Sequence, residues 1–272
     1  LYPAGYGDGS FSSGDFVTET LTFHSTKIPN IAVGCGHDNQ VLSAGESGAA
    51  GVLGLGAGGL SFPSQAGPTI NHKFSYCLVD RSSSSSKPSF LIFGNFSISR
   101  TAIFTPLLTN DKQKSFYYLD LIGFSVEGKR VAGISPQLFK LDSSGDGGVI
   151  IDSGTFVTRL TNKAYVQFRN AFRSATSDLK PARKYLLFDT CFDFSGMKSV
   201  NAPNVVLHFA NANVSLPAEN YLIPVDSAGK FCFAFIGSPG KMSIIGNIQQ
   251  QGFRVVFDLK GSRVGFSPGG CK

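Results

Sequence analysis

Short apolar runs, separated by glycine, proline and polar turns, recur along most of the chain. The runs Phe11 to Phe23, Ile28 to Cys35 and Phe116 to Val131 are rich in β-branched and aromatic residues, which is typical of strands. The same signs predict further strands at residues 74–79, 90–93, 205–209, 221–225, 231–236, 253–257 and 264–266. The pattern therefore predicts a mainly β fold.

One segment has the period of an amphipathic helix. Its apolar positions repeat at intervals of three and four residues: Ala164, Tyr165, Phe168, Ala171, Phe172 and Ala175. Thr161 and Asn162 are the candidate caps of its first turn. We interpret the aromatic stripe as a surface that faces the core rather than a cofactor site.

The turn-rich segments organise the rest of the chain. Tyr6-Gly7-Asp8-Gly9-Ser10 predicts a tight hairpin turn, which is either a plain hairpin or a mobile flap whose tip, Tyr6, covers a cleft. The serine-rich segment 81–89 is expected to be an exposed flexible loop. Residues 103–114 are turn-rich and become polar, so we place a lobe boundary there, between residues 1–108 and 109–272.

Length and composition indicate a globular chain. Its 272 residues suffice for one large or two ordinary domains, and 42% are hydrophobic against 15% charged. No apolar run approaches the length of a membrane span. The sequence begins at Leu1 with neither Met nor a signal peptide, so we expect that preceding residues were removed or that this is a fragment.

The net charge of +6 raises the question of nucleic-acid binding. The basic residues are scattered, and the densest group is Lys180, Arg183 and Lys184, too few for a phosphate track. A solvated basic surface is the better interpretation. A protease that also binds nucleic acid is kept as an alternative, and a salt titration of DNA binding would test it.

The five cysteines and two sequence triplets indicate where in or outside the cell the protein is found. No Cys-x-x-Cys pair is present, so zinc is not expected, and the wide spacing favours disulfides formed in an oxidising compartment. The odd count leaves one cysteine unpaired. Asn95-Phe96-Ser97 and Asn213-Val214-Ser215 are glycosylation acceptor sequences that agree with secretion, although such triplets also arise by chance.

Several motifs resemble the signatures of other functions, but the residues around them do not support those functions. Gly54-x-Gly56-x-x-Gly59 has the spacing of a dinucleotide fingerprint, but prolines follow closely and no βαβ alternation surrounds it. Residues 142–147 resemble a calcium loop only faintly, since Ser153 stands where the bidentate Glu is required. No Gly-x-Ser-x-Gly is present and the histidines are dispersed, so we expect neither serine nor metal hydrolysis, and no cofactor.

The segment with the strongest chemical signal is Val149-Ile150-Ile151-Asp152-Ser153-Gly154-Thr155. An apolar run ends at a carboxylate that is followed by a glycine turn, and an apolar environment makes a carboxyl harder to ionise. The hydroxyls of Ser153 and Thr155 could hydrogen-bond to its oxygens, as a general acid or base requires. The alternative is an ordinary turn after a strand. Two apolar-apolar-Gly elements, at 52–54 and 244–246, also suggest an imperfect internal repeat.

Three stretches together resemble the pepsin-like aspartic proteases, in particular the plant nepenthesin-like and guard-cell-type enzymes. Tyr6 to Ser10 is similar to the family flap, and Asp152 to Thr155 to its second catalytic motif. Ser243 to Phe266, which includes Ile248-Gln249-Gln250-Gln251-Gly252-Phe253, is similar to its closing strands. The resemblance extends over essentially all of the chain.

The resemblance implies a fold of two β-rich lobes, each of which supplies one catalytic aspartate. Asp152 would be the catalytic aspartate of the second lobe, acting on a peptide or protein substrate. Ser153 would bond across to the opposite loop, and Thr155 would orient the carboxylate and touch substrate beside Gly154. Tyr6, with Gly7 and Asp8, would close over the peptide.

The chain departs from the family pattern in one respect. The first Asp-Thr-Gly motif is absent, because Asp8, Asp15 and Asp38 do not stand in such a loop. We therefore expect a pepsin-like fold whose first lobe is truncated, with endopeptidase activity conditional on the missing segment, which could be a separate chain. The alternative is a non-catalytic binding or inhibitor protein on the same fold.

The resemblance also implies the cysteine pairing and the location. It suggests Cys191–Cys232 within the second lobe and Cys77–Cys271 tying the lobes, with Cys35 left for a partner in the missing segment. Glycosylation at Asn95 and Asn213 would accompany secretion to the apoplast or delivery to the vacuole. Neither a nucleic acid nor a membrane is expected as a partner.

Overall fold

The structure, a computed structural model, describes residues 1–40, 49–79, 88–197 and 199–271. The predicted mainly β fold is confirmed, since strands account for most of its regular structure. The chain divides into a smaller compact unit, Leu1–His72, and a larger one, Lys73–Lys272. No helix in the described ranges is long and apolar enough to cross a membrane.

The smaller unit is an antiparallel sheet with a short helix. Its elements are β1 (Tyr2–Gly5), β2 (Phe11–Phe23), β3 (Thr26–Gln40) and α1 (Phe62–Gln65), and the strand order is β1-β2-β3. Ile28 and Ile31 are buried, and the ring of Phe23 lies 5.2 Å from that of Phe62. The Gln65 amide exchanges two hydrogen bonds with the backbone of Ala32 in β3, which fixes α1 against the sheet.

The larger unit holds the remaining elements. Its strands are β4 (Lys73–Cys77), β5 (Phe90–Phe93), β6 (Ile103–Leu108), β7 (Tyr118–Leu119), β8 (Leu121–Val126), β9 (Lys129–Arg130), β10 (Val149–Ile151), β11 (Thr158–Thr161), β12 (Pro181–Ala182), β13 (Cys191–Asp193), β14 (Val205–Phe209), β15 (Ala212–Leu216), β16 (Leu222–Pro224), β17 (Lys230–Phe233), β18 (Phe235–Ser238), β19 (Ser243–Ile245), β20 (Phe253–Asp258) and β21 (Arg263–Pro268). Its helices are α2 (Asn162–Ala175) and α3 (Asn247–Gln250).

A ten-stranded sheet organises this unit, in the order β18-β11-β19-β10-β7-β6-β21-β20-β4-β5. The central strand β10 runs parallel to β19 on one side and antiparallel to β7 on the other. Because β10 is paired on both edges and all three of its residues are buried, its end is held firmly in place. Two four-stranded sheets, β12-β13-β17-β16 and β15-β14-β8-β9, complete the unit.

The predicted helix is confirmed, and its aromatic stripe forms the core of the larger unit. Phe168 stacks on Phe124 with 4.3 Å between ring centroids, and Phe172 stacks on Phe233 at 4.2 Å. Burial of each such ring stabilises the fold by about 1.5–3 kcal/mol. Thr161 is the N-cap residue, but its side chain makes no capping hydrogen bond, so packing rather than capping positions the helix.

Two further outcomes concern the boundary region. Residues 103–108 form the strand β6 and not the expected turn-rich segment, because β6 pairs with β21 on one side and β7 on the other. Together with β4 and β5 it lies in the larger unit, and the lobe boundary at 108/109 stays a prediction.

The serine-rich loop predicted at 81–89 falls almost entirely outside the described residues.

The predicted disulfides are confirmed. Cys77 is bonded to Cys271 and Cys191 to Cys232, while Cys35 is free and exposed. Cys191 and Cys232 face each other across the β13–β17 ladder. Both bonds lie within the larger unit, which therefore has two covalent constraints.

Candidate active site

Asp152 stands where the buried strand β10 ends. Its backbone N–H donates to the carbonyl of Ile245 at 3.1 Å, which continues the pairing of β10 with β19 by one residue. The side chain is half-buried rather than buried, because the chain turns outward and Gly154 is exposed. The carboxylate is thus anchored by a rigid strand and accessible from solvent.

Both carboxylate oxygens of Asp152 accept hydrogen bonds from its own loop. The backbone N–H of Gly154 donates to Oδ1 at 2.8 Å, and the Thr155 hydroxyl donates to Oδ2 at 2.7 Å. Two donors on different oxygens fix the plane of the carboxylate. A general acid or base has to be oriented in this way toward a reacting group.

The neighbouring chain segment after β19 supports this loop. A Cβ on Gly246 would lie 2.4 Å from the backbone carbon of Val157, so only glycine permits the close approach. Asn247 then donates from its backbone to Thr155 O at 2.6 Å and from its side chain to Ser153 O at 3.2 Å. The second apolar-apolar-Gly element therefore holds the loop that carries Asp152.

Tyr76 is a residue near the site that the sequence analysis did not identify. It lies on β4 and is buried, and the Ser153 hydroxyl and the charge of Asp152 both act on its phenol. Burial, followed by the negative charge of Asp152, raises the pKa of Tyr76 well above its usual value. Its sequence context, a short apolar strand, indicates only a core residue.

The predicted hairpin turn at Tyr6 to Ser10 is confirmed in the smaller unit. The Tyr6 N–H donates to Ser10 O at 2.9 Å, and the Gly9 N–H donates back to Tyr6 O at 3.0 Å. Asp8 accepts from the backbone and the hydroxyl of Ser10, which rigidifies the turn together with the positive φ of Gly9. Tyr6 is 49% exposed at the tip, and Gly7 is exposed beside it.

The two apolar-apolar-Gly elements have opposite environments. Ile245 is 1% exposed and belongs to a strand, whereas Val52 is 80% and Leu53 38% exposed. A Cβ on Gly54 would meet nothing within 4 Å, in contrast to Gly246. The element in the smaller unit therefore exposes apolar side chains, whereas the one in the larger unit is packed closely against its neighbours.

Both glycosylation candidates have exposed asparagines. Asn95 opens a short 3₁₀-helix, Asn95–Ser97, and accepts from Lys73 Nζ at 3.2 Å. Asn213 lies on β15, an edge strand, where its Oδ1 is 2.7 Å from His208 Nδ1. His208 also contacts the Ser125 hydroxyl through Nε2 at 2.7 Å, so it links two strands of this sheet.

A second polar cluster lies beside α2, away from the Asp152 loop in sequence. It borders a cavity of about 330 Å³ lined by Asn162, Tyr165, Val166, Arg169, Leu187, Asp189, Ile236 and Gly237. Asp189 accepts from the Tyr165 hydroxyl, the Arg169 guanidinium and the Thr190 hydroxyl. Partial burial raises the pKa of Asp189, but these three donors outweigh it and lower the pKa overall.

Comparison with protein families gives two matches that together cover most of the chain. Residues 1–95 match the family described as xylanase inhibitor N-terminal, and residues 116–268 match the one described as xylanase inhibitor C-terminal. The second match alone covers more than half of the chain and includes the whole Asp152 loop with β19 and α3.

Curated relatives are named as aspartic proteases. The chain is 63% identical over 271 residues to aspartyl protease family protein 2 of Arabidopsis thaliana, covering 100% of this chain and 55% of that protein. It is 43% identical over 274 residues to aspartic proteinase nepenthesin-1 of Nepenthes gracilis, covering 99% of this chain and 61% of that protein. The chain thus spans a little more than half the length of these relatives.

Solved structures agree on the fold. The chain superposes on conglutin gamma, a unique basic 7S globulin from lupine seeds, with a TM-score of 0.74. The superposition covers 98% of this chain and 72% of the globulin, at 20% identity, so it shows the fold alone. From the family matches, the relatives and this fold, the chain belongs to the pepsin-like aspartic protease family, in the plant group that includes nepenthesin.

Proposed function

We propose that this chain is the Asp152-bearing part of an aspartic endopeptidase, which hydrolyses peptide bonds with water activated by two carboxylates. The observation that carries the proposal is the Asp152 carboxylate itself. It stands at the end of a buried strand, is accessible, and accepts one hydrogen bond on each oxygen from Gly154 and Thr155.

The chemistry requires a second carboxylate. Two carboxylates held close together cannot both be ionised, so the pair shares one proton at acidic pH. The charged member takes a proton from the attacking water, and the protonated member donates to the peptide oxygen. We propose that the second carboxylate comes from a first-lobe segment outside these 272 residues.

The exposed element at 52–54 supports this proposal. Apolar side chains such as Val52 and Leu53 are costly to leave in water. Of their counterparts in the larger unit, Ile245 is buried and Ile244 is half-buried, and both pair with the strand that leads to Asp152. We infer that the equivalent loop of the first lobe, with its own aspartate, covers Val52 and Leu53 in the complete enzyme.

The proposed substrates are peptides and proteins with apolar residues beside the cut bond. Phe156, directly after the Asp152 motif, is 50% exposed and offers an aromatic surface next to the carboxylate. Tyr6 would close over the bound peptide as the tip of the flap. Exposed Asn95 and Asn213, together with two disulfides, support a secreted or vacuolar enzyme.

The test is a cleavage assay on a chimera. Residues 1–272 are joined to the portion of the 63% identical Arabidopsis relative that this chain does not cover, and peptide cleavage is measured at acidic pH. We expect cleavage that a statine-type transition-state mimic blocks and that Asp152→Asn abolishes. Residues 1–272 without that portion are expected to show no inhibitor-sensitive cleavage.

The rival proposal is a non-catalytic binding or inhibitor protein. It is favoured by the family description, which names xylanase inhibitors, and the same chimera tests it. A folded chimera that binds the statine mimic or a xylanase without cleaving peptides would support the binding protein and contradict the protease.

A further inference from the structure

Tyr76 and Gln250 are two buried polar residues linked by hydrogen bonds to the strand next to Asp152. Tyr76 lies on β4 and is 6% exposed, and Gln250 ends α3 and is fully buried. The Tyr76 hydroxyl donates to Oε1 of Gln250. A buried phenol and a buried amide that satisfy each other form a polar contact inside an otherwise apolar core.

Gln250 extends this contact to the strand beside Asp152. Its Nε2 donates to the carbonyl of Ile245 at 2.9 Å. The same carbonyl accepts from the backbone N–H of Asp152 at 3.1 Å. One oxygen therefore joins the amide of Gln250 to the first residue of the catalytic motif.

The path of hydrogen bonds runs in one direction, from Tyr76 through Gln250 and the Ile245 carbonyl to the backbone N–H of Asp152. The Ser153 hydroxyl also acts on the Tyr76 phenol. Because the phenol proton is donated to Gln250, the phenol oxygen keeps lone pairs that can accept a hydrogen bond from Ser153.

We propose that Tyr76 is a positioning residue for the Asp152 loop, acting through this path of contacts with Gln250 and Ile245. The inference rests on the proposed protease function and adds to it the residue that holds the catalytic loop from the rear. Tyr76 is buried, so it meets no substrate, and its influence is on the placement of the carboxylate.

Two substitutions test the path, and a third is the matched control. Tyr76→Phe removes the hydroxyl but keeps the ring that packs on Phe257 at 5.7 Å. Gln250→Met removes the amide at similar volume. Tyr221→Phe is the control, because the Tyr221 hydroxyl is also buried and donates to a backbone carbonyl, that of Pro203 at 2.8 Å, outside the path.

The first readout is catalysis in the complete chimera. We expect Tyr76→Phe and Gln250→Met to lower kcat by about 3- to 10-fold, the effect of one lost hydrogen bond. KM should stay unchanged, because ground-state binding is not touched. Tyr221→Phe should keep the parent kcat. A Tyr76→Phe enzyme with the parent kcat, or a Tyr221→Phe enzyme equally impaired, would overturn the proposal.

The second readout separates this proposal from the function on which it rests. Amide hydrogen exchange of the peptide spanning residues 152–156 is measured by mass spectrometry in the same proteins. Faster exchange in Tyr76→Phe and Gln250→Met, with the Tyr221→Phe rate unchanged, supports the path even if the parent protein cleaves nothing. Equal exchange in all four proteins refutes it even if the parent is an active protease.

Discussion

Thr155 donates its hydroxyl to Oδ2 of Asp152 at 2.7 Å. This leaves the other oxygen, Oδ1, to the backbone N–H of Gly154 at 2.8 Å. Asp152 and Thr155 are three positions apart, so a single turn supplies both the carboxylate and the hydroxyl that orients it. The carboxylate is thereby oriented before any substrate binds, which reduces the cost of organising the site during the reaction.

Asp152→Asn should abolish cleavage by the complete enzyme and leave its fold intact. The amide has the shape of the carboxylate and can still accept from Gly154, but it cannot exchange the proton. Peptide cleavage at acidic pH, with circular dichroism as the check on folding, measures this. Residual cleavage equal to that of the parent would show that Asp152 is not catalytic.

Thr155→Val should lower kcat by roughly one to two orders of magnitude, whereas Thr155→Ser should stay close to the parent. Valine keeps the shape of threonine but lacks the donor to Oδ2, and a hydrogen bond to a charged group contributes about 1.5–3 kcal/mol. Serine retains the hydroxyl. Steady-state kinetics of the three proteins gives the answer, and equal loss in both variants would point to packing instead of orientation.

Tyr6→Ala should lower kcat/KM without abolishing cleavage, because in the proposed enzyme Tyr6 would cover the substrate and take no part in proton transfer. Tyr6 is 49% exposed in a turn held by Ser10 and Gly9, so its removal should not disturb the hairpin. Tyr6→Phe keeps the ring and is the matched control. Complete loss of activity in Tyr6→Ala would instead assign Tyr6 a direct chemical role.

Replacing both Cys77 and Cys271 by serine should destabilise the larger unit by about 2–4 kcal/mol. The bond joins residues that are 194 positions apart, so its loss frees a long stretch of the unfolded chain. Cys35→Ser is the control, since Cys35 is free and exposed and should not alter stability. Urea denaturation of the three proteins reports the difference.

Asp189→Asn should lower stability at pH 6 and make progressively less difference as the pH falls into the acid range. The donors around Asp189 lower its pKa in the folded protein, so its stabilisation is present above the unfolded value of about 3.9. That contribution is lost as the pH falls through the lowered pKa. Thermal unfolding temperatures of parent and variant, measured at several pH values from 6 downward, should converge as the pH falls. A difference that stays constant would contradict the assignment.

The sequence alone determined the fold class and pointed to Asp152 to Thr155 as the candidate catalytic motif. The β-rich runs and the single amphipathic repeat correctly predicted the long hairpin, most strands of the larger unit and α2. Asp152-Ser153-Gly154-Thr155 could be recognised because its chemistry lies within one turn, where sequence neighbours are also neighbours in space. Contacts between residues this close in sequence can be predicted from the sequence alone.

Only the tertiary structure decided which distant residues support the motif. Gln249, Gln250 and Gln251 are polar and would be placed at the surface by pattern alone, yet all three are buried with their amides hydrogen-bonded. Residues 103–108 became a strand because β21 and β7 flank them. Tyr76 on β4 is linked to the Asp152 loop through Gln250 on α3, whose amide donates to the Ile245 carbonyl that Asp152 also uses. Contacts between segments so far apart in the chain are set by tertiary packing, which no local pattern contains.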